Sequence, residues 1–371
     1  MSVRWRKNRR KRSCWRVRLL KMLKCCSVLA LAAFLLPASA ISENTKPEDI
    51  TPRIGIIQVF GLQKLSANKI ESSLGVKPGG PVPHADEEQS RLITLPGVVG
   101  GTVEPICCYS NQIVLYIGVE EKNSPHMVFR PPPASDVKLP QDLFDKYNAV
   151  IEATSESLHA HNADEDLTNG YSLLADPEGR ALQAELLPMV AANLSAIDNT
   201  LRNSSDTDQR SAAAYLMQYA PRTPREVKTM TDALQYAIQD PDPAVRSAAM
   251  IALKAVLVGA RLHPALHIHV EPTWFVELMN STVWSDRHNA SLALVTLTDK
   301  GNADTLALLR ERALNSVCDM ADWQDLEHAL PGFILAGRLA GLDQKQIDTA
   351  WISGDRDSVI REARGDSHKK R

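Results

Sequence analysis

The sequence predicts a multidomain protein in which a small α+β domain precedes an all-α array of helical repeats. Three observations support this fold class. A short Arg–Ala pattern recurs at intervals near forty residues in the second half of the chain. The first part instead alternates short β-rich and helical segments, and a proline-rich stretch separates the two regions. The chain has 371 residues, 44% of them hydrophobic, which is enough for two or three globular domains.

The first forty residues differ from the rest of the chain. Residues 1–40 contain eleven Lys and Arg residues and no Asp or Glu. The basic run precedes an apolar segment, 25–36, and then Ala38-Ser39-Ala40, the small-x-small pattern of a signal peptidase site. We therefore expect a secretory signal peptide over 1–40 and a periplasmic or secreted protein. If the leader stays uncleaved, the same segment, extended back to Leu19, would anchor the chain in a membrane.

Charge and cysteine content exclude other classes. Without the leader, 31 basic residues stand against 44 acidic ones, a formal net charge of −13. Nucleic-acid binding depends mainly on cationic contacts with phosphate, so no nucleic-acid partner is expected. Three cysteines remain, Cys107, Cys108 and Cys318, which are too few for a disulfide scaffold. Buried thiols are favoured over a long-range bridge from Cys107 or Cys108 to Cys318.

After a polar linker at 41–51, residues 52–123 have the pattern of a small mixed domain. A β-rich run from Ile54 ends at Gly61, and Ser66 begins a short helix through Leu74. A second helix with acidic residues at its start follows a Gly- and Pro-rich loop. Two further strands are predicted at 102–108 and 112–120, the second with alternating apolar residues.

This order of strand, helix, helix, strand, strand resembles a POTRA domain. The residues that carry the resemblance are Ile56, Val59, Gly61, Ser66, Ile70, Leu74, Gly79, Leu92, Leu95, Val103 and the run 114–120. The sequence departs from the family at Val82-Pro83 and in carrying Cys107-Cys108. The resemblance implies that an extended polypeptide adds to an edge of the sheet, at a strand within 54–59 or 102–108. A sheet that only packs against the second domain is the alternative.

Residues 124–140 contain five prolines and predict a stiff extended linker between the domains. Helical periodicity then extends over 141–364, and 365–371 form a polar tail. The most informative stretch is 240–253. Asp242 is placed to cap a helix and Pro243 fits its first position. The apolar residues that follow, at spacings of three and four, form a stripe of Val245, Ala248, Ala249, Ala252 and Leu253.

The same register occurs three times, 36 residues upstream and 41 residues downstream of the middle copy. The repeated positions are Arg210 and Ala213; Asp242, Arg246, Ala249 and Leu253; and Arg287, Ala290 and Leu294. A period near forty with an Asp-containing loop, an Arg and an Ala/Leu stripe resembles HEAT repeats, which are stacked helix pairs of an α-solenoid. The third copy has Val283 in place of Asp242, which puts the expected Asp–Arg contact between repeats in doubt there.

Motifs for chemistry are scarce. The sequence has no Gly-rich phosphate loop, no Gly-x-Ser-x-Gly and no His-Glu-x-x-His, and no cofactor is indicated. The densest group is His263, His267 and His269, which could bind zinc or copper. Loop histidines between two repeats are the favoured interpretation. The sequence therefore favours a non-enzymatic, exported adaptor or scaffold for other proteins of the cell envelope, with a metal-dependent hydrolase or metal carrier as the alternative.

Overall fold

The computed structural model describes residues 52–109, 112–160, 162, 164–168 and 170–365. The predicted leader, the linker at 41–51 and residues 366–371 of the tail lie outside the described residues. The first element is a three-stranded sheet made of β1 (Ile54–Phe60), β2 (Val98–Tyr109) and β3 (Gln112–Glu121). Its order is β1-β3-β2, with β1 parallel and β2 antiparallel to β3. The order of elements agrees with the sequence pattern, although β2 begins four residues before the predicted strand at 102.

Two short helices, α1 (Ala67–Leu74) and α2 (Ala85–Leu92), cover one face of this sheet. Alternate strand residues face these helices because side chains of a strand point to opposite sides in turn. The resulting core includes Ile57, Leu115 and Ile117 from the strands, with Ile70 and Leu92 from the helices. This small core is separate from the core of the helical body.

The loop that connects β1 to α1 is held by one carboxylate. Glu121 accepts backbone hydrogen bonds from Gln63, Lys64 and Leu65, at 2.7, 3.0 and 3.0 Å. Burial alone would raise the pKa of Glu121, but these hydrogen bonds outweigh it and lower the pKa. The carboxylate therefore stays ionised and fixes the loop after β1.

The rest of the described chain is mainly helical. A two-stranded hairpin, β4 (Glu165–Asp166) and β5 (Leu173–Leu174), follows the first helix of this body. The helices are α3 (Gln141–His159), α4 (Pro177–Asn203), α5 (Thr207–Met217), α6 (Pro224–Ala237), α7 (Pro243–Leu262), α8 (Thr273–Leu278), α9 (Trp284–Leu297), α10 (Ala303–Arg312), α11 (Leu314–Ala321), α12 (Leu326–Leu339), α13 (Gln344–Ser353) and α14 (Arg356–Arg364).

These helices stack as a solenoid of repeated pairs. The helices α5, α7 and α9, called the arginine helices below, lie side by side, and α12 packs against α9. Their partners form a second layer, in which α4 contacts α6 and α8 contacts α10. One large core runs through the stack, because almost every helix contributes buried apolar residues to it. The body is thus an armadillo- or HEAT-like α-solenoid.

Local signals set the starts of the arginine helices. The carboxylates of Asp206 and Asp242 accept backbone hydrogen bonds from the first turns of α5 and α7. The start of α9 has Val283 at this position, and Glu104 from β2 accepts the hydrogen bond of the Trp284 amide instead, at 2.6 Å. The sheet therefore completes a cap that the third repeat lacks.

The helices α4 and α7 have unusual sequences for their positions. The sequence predicts that Pro188 kinks or divides its helix, and α4 is one helix of 27 residues that includes Pro188, so the proline does not divide it. The α7 helix is long and apolar enough to cross a membrane by length and composition alone. Its apolar window is 56% buried, and α7 packs between α5 and α9, as expected of the central helix of a solenoid.

Candidate functional site

The three repeated arginines close the turns that precede their own helices. Their side chains are almost fully buried, with relative exposures of 1–2%. Each guanidinium donates to a backbone carbonyl six residues earlier. The bonds are Arg210 Nη1 to Ser204 O at 3.0 Å, Arg246 Nη1 to Asp240 O at 2.9 Å, and Arg287 Nε to Ser281 O at 2.7 Å. The three side chains therefore contact the same backbone position of the preceding turn, with Arg287 using Nε where the other two use Nη1.

Each arginine also reaches a carboxylate of the following repeat. The pairs, called the Arg–Asp ladder below, are Arg210–Asp240 at 2.9 Å, Arg246–Asp286 at 2.7 Å and Arg287–Asp319 at 3.1 Å. The first two pairs are buried on both sides, whereas Asp319 is partly exposed. Buried ion pairs hold a specific geometry because an unpaired buried charge is costly. The ladder thus fixes the stacking of successive repeats.

The ladder continues through the third repeat despite Val283. Arg246 finds its carboxylate on Asp286, in the first turn of α9, rather than in the loop before that helix. Ser281 donates a further hydrogen bond to Asp286, at 2.7 Å. Asp242, whose replacement by Val283 placed the contact in doubt, serves as a helix cap and does not bind an arginine.

The small residues of the register lie at the contacts between helices. Ala213, Ala249 and Ala290 have no exposed surface, and Leu253 and Leu294 are equally buried. Small side chains at these places let neighbouring helices approach closely. The equivalent burial of the three alanines is what a stacked array requires.

The proline-rich segment does not stand clear of the solenoid. Residues 127–139, called the strap below, run along the turns that precede α5 and α7. The Leu139 amide donates to Gln209 Oε1 at 2.9 Å, the Ser135 amide donates to Asn203 O at 3.1 Å, and the Arg130 amide donates to Gln239 O at 3.2 Å. From the sequence we interpret 124–140 as a linker between the domains. In the structure, these hydrogen bonds attach the strap along two repeats.

Aromatic contacts strengthen the attachment of the strap. The Arg130 guanidinium lies 3.2 Å from the centre of the Tyr236 ring and donates to the Tyr236 carbonyl at 2.7 Å. The Phe129 ring lies under the guanidinium of Arg246, at 3.9 Å. One residue of the strap therefore covers a buried pair of the ladder.

A polar aromatic cluster joins the second face of the sheet to the solenoid. Tyr116 Oη lies 2.6 Å from His328 Nδ1, and Trp284 stacks on His288 with ring centroids 5.0 Å apart. Burial, followed by the nearby charges of His328 and Lys254, lowers the pKa of His288 to about 4, so this imidazole is neutral at neutral pH. The cluster is formed by β3, α9 and α12, and sequence spacing gave no signal for it.

Glu104 belongs to the same junction. Its carboxylate accepts the Trp284 amide, and burial raises its pKa to about 7. The backbone of β3 also lies close to the backbone before α9, since a Cβ at Gly118 would lie 1.8 Å from the Thr282 carbonyl oxygen. The sheet is thus packed closely on the third repeat.

The two candidate edges for peptide addition are both outer strands, because β3 is central. The start of β1 is already paired, through the Ile54 amide to Gly80 O at 3.0 Å. On β2, the side-chain hydroxyl of Thr102 donates to the Thr282 carbonyl of the solenoid, and Pro105 has no amide hydrogen to offer. The Thr102 contact uses no backbone group, whereas Ile54 on β1 and Pro105 on β2 have no free amide hydrogen for a partner strand.

A pocket of about 390 Å³ opens across α3, α5 and α7, beside the β4–β5 hairpin. We call it the tyrosine pocket. Its wall contains Tyr147, Tyr215 and Tyr219, with Ala248 and Ile251 from α7. Tyr215 Oη and Tyr219 Oη are 3.1 Å apart, and burial raises the pKa of all three tyrosines, so the hydroxyls stay protonated. Ala248, predicted as part of the buried stripe, is half-buried here.

The three candidate metal ligands do not converge. His263 Nε2 lies 3.3 Å from the Thr168 carbonyl oxygen, His269 pairs with Glu271 at 2.6 Å, and His267 follows a short 3-10 turn with φ +46°. Among the described residues, no group of three His, Cys, Asp or Glu side chains is suited to hold a metal ion. No observation favours the hydrolase or metal-carrier alternative.

The cysteines depart in part from the prediction. Cys318 is a free thiol with no exposed surface, so it forms no bridge to Cys107 or Cys108. Cys107 is exposed and disulfide-bonded, whereas a buried thiol was expected. The expected buried thiol is therefore found only at Cys318 in the described part of the chain.

Comparison with known proteins finds similarity to solved structures, of which two are described here. No family model and no curated protein matches the chain. The designed armadillo repeat protein YIII(Dq)4CqI is 12% identical, with a TM-score of 0.32, over 53% of this chain and 96% of its own. The designed armadillo repeat protein YIII(Dq.V1)4CPAF, in complex with peptide (KR)4, is also 12% identical, with a TM-score of 0.34, over 60% and 95%. The assignment as a solenoid is made from the helix stacking and the ladder.

Proposed function

We propose that this protein is a non-enzymatic scaffold whose helical repeats hold an extended segment of another protein. The observation that carries the proposal is the strap. It is an extended segment, and backbone hydrogen bonds at Arg130, Ser135 and Leu139 hold it along successive repeats. Regular arrays of helices present a continuous surface, and an extended chain matches their repeat through its backbone groups.

The surface that remains open for a partner lies across α3, α5 and α7. None of the strap residues lines the tyrosine pocket. Ile151 and Ile251, one at each side of this surface, are each 38% exposed. Exposed apolar residues around a formed pocket are typical of surfaces that bind other proteins.

We further propose that the scaffold acts in the cell envelope. The basic and apolar leader over 1–40 supports export, and the POTRA-like order of strands and helices supports a second mode of binding by strand addition. The edge of β2 beyond Pro105 is the segment we assign to this mode. Together these features support the proposal of an exported adaptor that binds partners through a helical surface and a sheet edge.

Crosslinking with mass spectrometry in the native envelope tests the scaffold proposal. We expect crosslinks from Lys254 of α7, beside the tyrosine pocket, to lysines of one or a few other proteins. Lys228 of α6, whose side chain is 75% exposed in the second layer, is the internal control. Crosslinks distributed equally over Lys254 and Lys228, or confined to this chain, would contradict the proposal.

A further inference from the structure

The tyrosine pocket has the dimensions and lining of a site for one large apolar group. Its volume of about 390 Å³ lies within the roughly 300–1,000 Å³ of ligand pockets. Its apolar walls are formed by the rings of Tyr147 and Tyr215 and by the side chains of Ile151, Ala248 and Ile251. Aromatic walls of this kind favour another aromatic or branched apolar side chain.

The pocket is also rigid on its deep side. The side-chain amide of Gln183 donates through Nε2 to Tyr219 Oη at 3.1 Å, and its Oε1 accepts a hydrogen bond from the Leu174 backbone amide at 2.6 Å. Tyr147 packs edge-on against Tyr215, with ring centroids 5.4 Å apart. The walls are therefore held in place before any partner arrives, which lowers the entropic cost of binding.

The charge in the lining of the pocket is negative. Among the described residues that line it, Glu165 is the one with a charged side chain. The ammonium of Lys254 is 3.9 Å from Glu165, at the limit of an ion pair. The Glu165 side chain is 40% exposed, so it can also meet a cation from solvent.

We propose that the tyrosine pocket receives a large apolar side chain from an extended segment of a partner protein, with a Lys or Arg next to it in that segment. The apolar side chain fills the space between α3, α5 and α7. The adjacent cation pairs with Glu165 at the rim. This inference rests on the proposed function and specifies the chemistry of the partner.

Binding of labelled peptides tests the proposal. The probes are four fluorescein-labelled Gly/Ser peptides whose central residues are Phe-Lys, Phe-Glu, Ala-Lys or Ala-Glu, and the readout is fluorescence anisotropy with the full-length protein. We expect the Phe-Lys peptide to bind at least about tenfold more tightly than the Ala-Lys peptide, because truncating a hot-spot side chain typically costs more than the roughly 1.4 kcal/mol to which a tenfold change in Kd corresponds. The affinity of the Phe-Lys peptide should exceed that of the Phe-Glu peptide by about two- to fivefold at low salt.

Matched variants locate the binding. Ala244, an exposed residue in the first turn of α7, lines the pocket, so Ala244→Phe places a ring in it. Ala303→Phe adds the same ring to the exposed start of α10 and serves as the control. Glu165→Gln should reduce the preference for Phe-Lys over Phe-Glu, whereas Glu87→Gln on α2 should leave it unchanged. Far-UV circular dichroism checks folding, and Ile251→Gln replaces Ala244→Phe if that variant does not fold.

The outcomes separate the pocket from the scaffold. A loss of Phe-Lys binding of about tenfold in Ala244→Phe, with none in Ala303→Phe, supports the proposal. Equal binding of all four peptides, including no measurable binding, overturns it, as does an unchanged affinity in Ala244→Phe. If crosslinks from Lys254 to another protein persist in that case, the scaffold stands and only the chemistry assigned to the pocket is wrong.

Discussion

Replacing Arg246 with alanine is the sharpest perturbation of the ladder. The guanidinium of Arg246 bonds Asp286 through Nη2 at 2.7 Å and through Nε at 3.0 and 3.2 Å. It also donates to two carbonyl oxygens of the preceding turn, those of Asp240 and Pro241, both at 2.9 Å. The Arg246→Ala variant loses all of these bonds at once.

The expected loss of stability follows from the interactions that Asp286 keeps in this variant. Asp286 has no exposed surface, and among the described residues the hydroxyl of Ser281 would be its remaining side-chain hydrogen bond. A neutral hydrogen bond lost in the core costs about 1–3 kcal/mol, whereas breaking a buried ion pair and leaving one charge behind costs about 3–5 kcal/mol. We therefore expect Arg246→Ala to lower the free energy of unfolding by about 3–5 kcal/mol.

Urea unfolding followed by far-UV circular dichroism measures this change. Arg312→Ala is the matched control, because Arg312 also pairs with a carboxylate, Glu277 at 2.6 Å, but at the surface. Its unfolding midpoint should stay close to that of the parent protein. The double variant Arg246→Met with Asp286→Leu should recover much of the loss, since an apolar pair leaves no buried charge. A cost below about 1 kcal/mol for Arg246→Ala would refute the structural role assigned to the ladder.

Three further substitutions test the packing and the junction. Ala249→Leu should cost about 1–3 kcal/mol in urea unfolding by overpacking the contact of a fully buried residue, and an unchanged midpoint would contradict this. Gly118→Ala should cost at least as much and alter tryptophan fluorescence at the junction, because the new methyl group meets the Thr282 carbonyl; parent-like spectra would show that the sheet is not docked there. Glu104 binds its proton more tightly in the folded protein, so the free energy of unfolding of the parent falls as pH rises from about 5 to 7. Glu104→Gln lacks this titration, so its free energy of unfolding should rise by about 1–3 kcal/mol relative to the parent over that interval. A difference between the two proteins that stays constant with pH would contradict the raised pKa.

Local sequence signals were enough to predict the solenoid. The Asp242-Pro243 pair indicates the start of a helix, and α7 begins at Pro243 because a carboxylate cap and a residue without an amide hydrogen suit that place. The recurring Arg and Ala positions indicate stacked helices because a buried Arg and a small residue have the same neighbours in each repeat. Ala213 and Ala249 meet this condition, with no exposed surface in either case.

Contacts between distant segments could not be predicted from the sequence in the same way. Tyr116 and His328 are separated by 212 residues, and neither lies in a motif. Asp286 replaces a loop carboxylate from a position in the first turn of α9, so a fixed register misses it. The strap was misleading because prolines favour extended structure whether the segment is free or bound. The walls of the tyrosine pocket come from elements that only the stacking of helices brings together.

Site-specific photo-crosslinking tests the central claim most directly. A benzoylphenylalanine at Ile251, on the open surface of α7, reports contacts at the tyrosine pocket, and the same group at Arg225, exposed on α6, reports contacts of the second layer. Irradiation of cells that express each variant, followed by mass spectrometry, identifies what each position touches. Crosslinks to another protein from Ile251 and not from Arg225 are the result we predict. Equal crosslinking from both positions, or crosslinking from Arg225 alone, would contradict a scaffold that binds its partner at this surface.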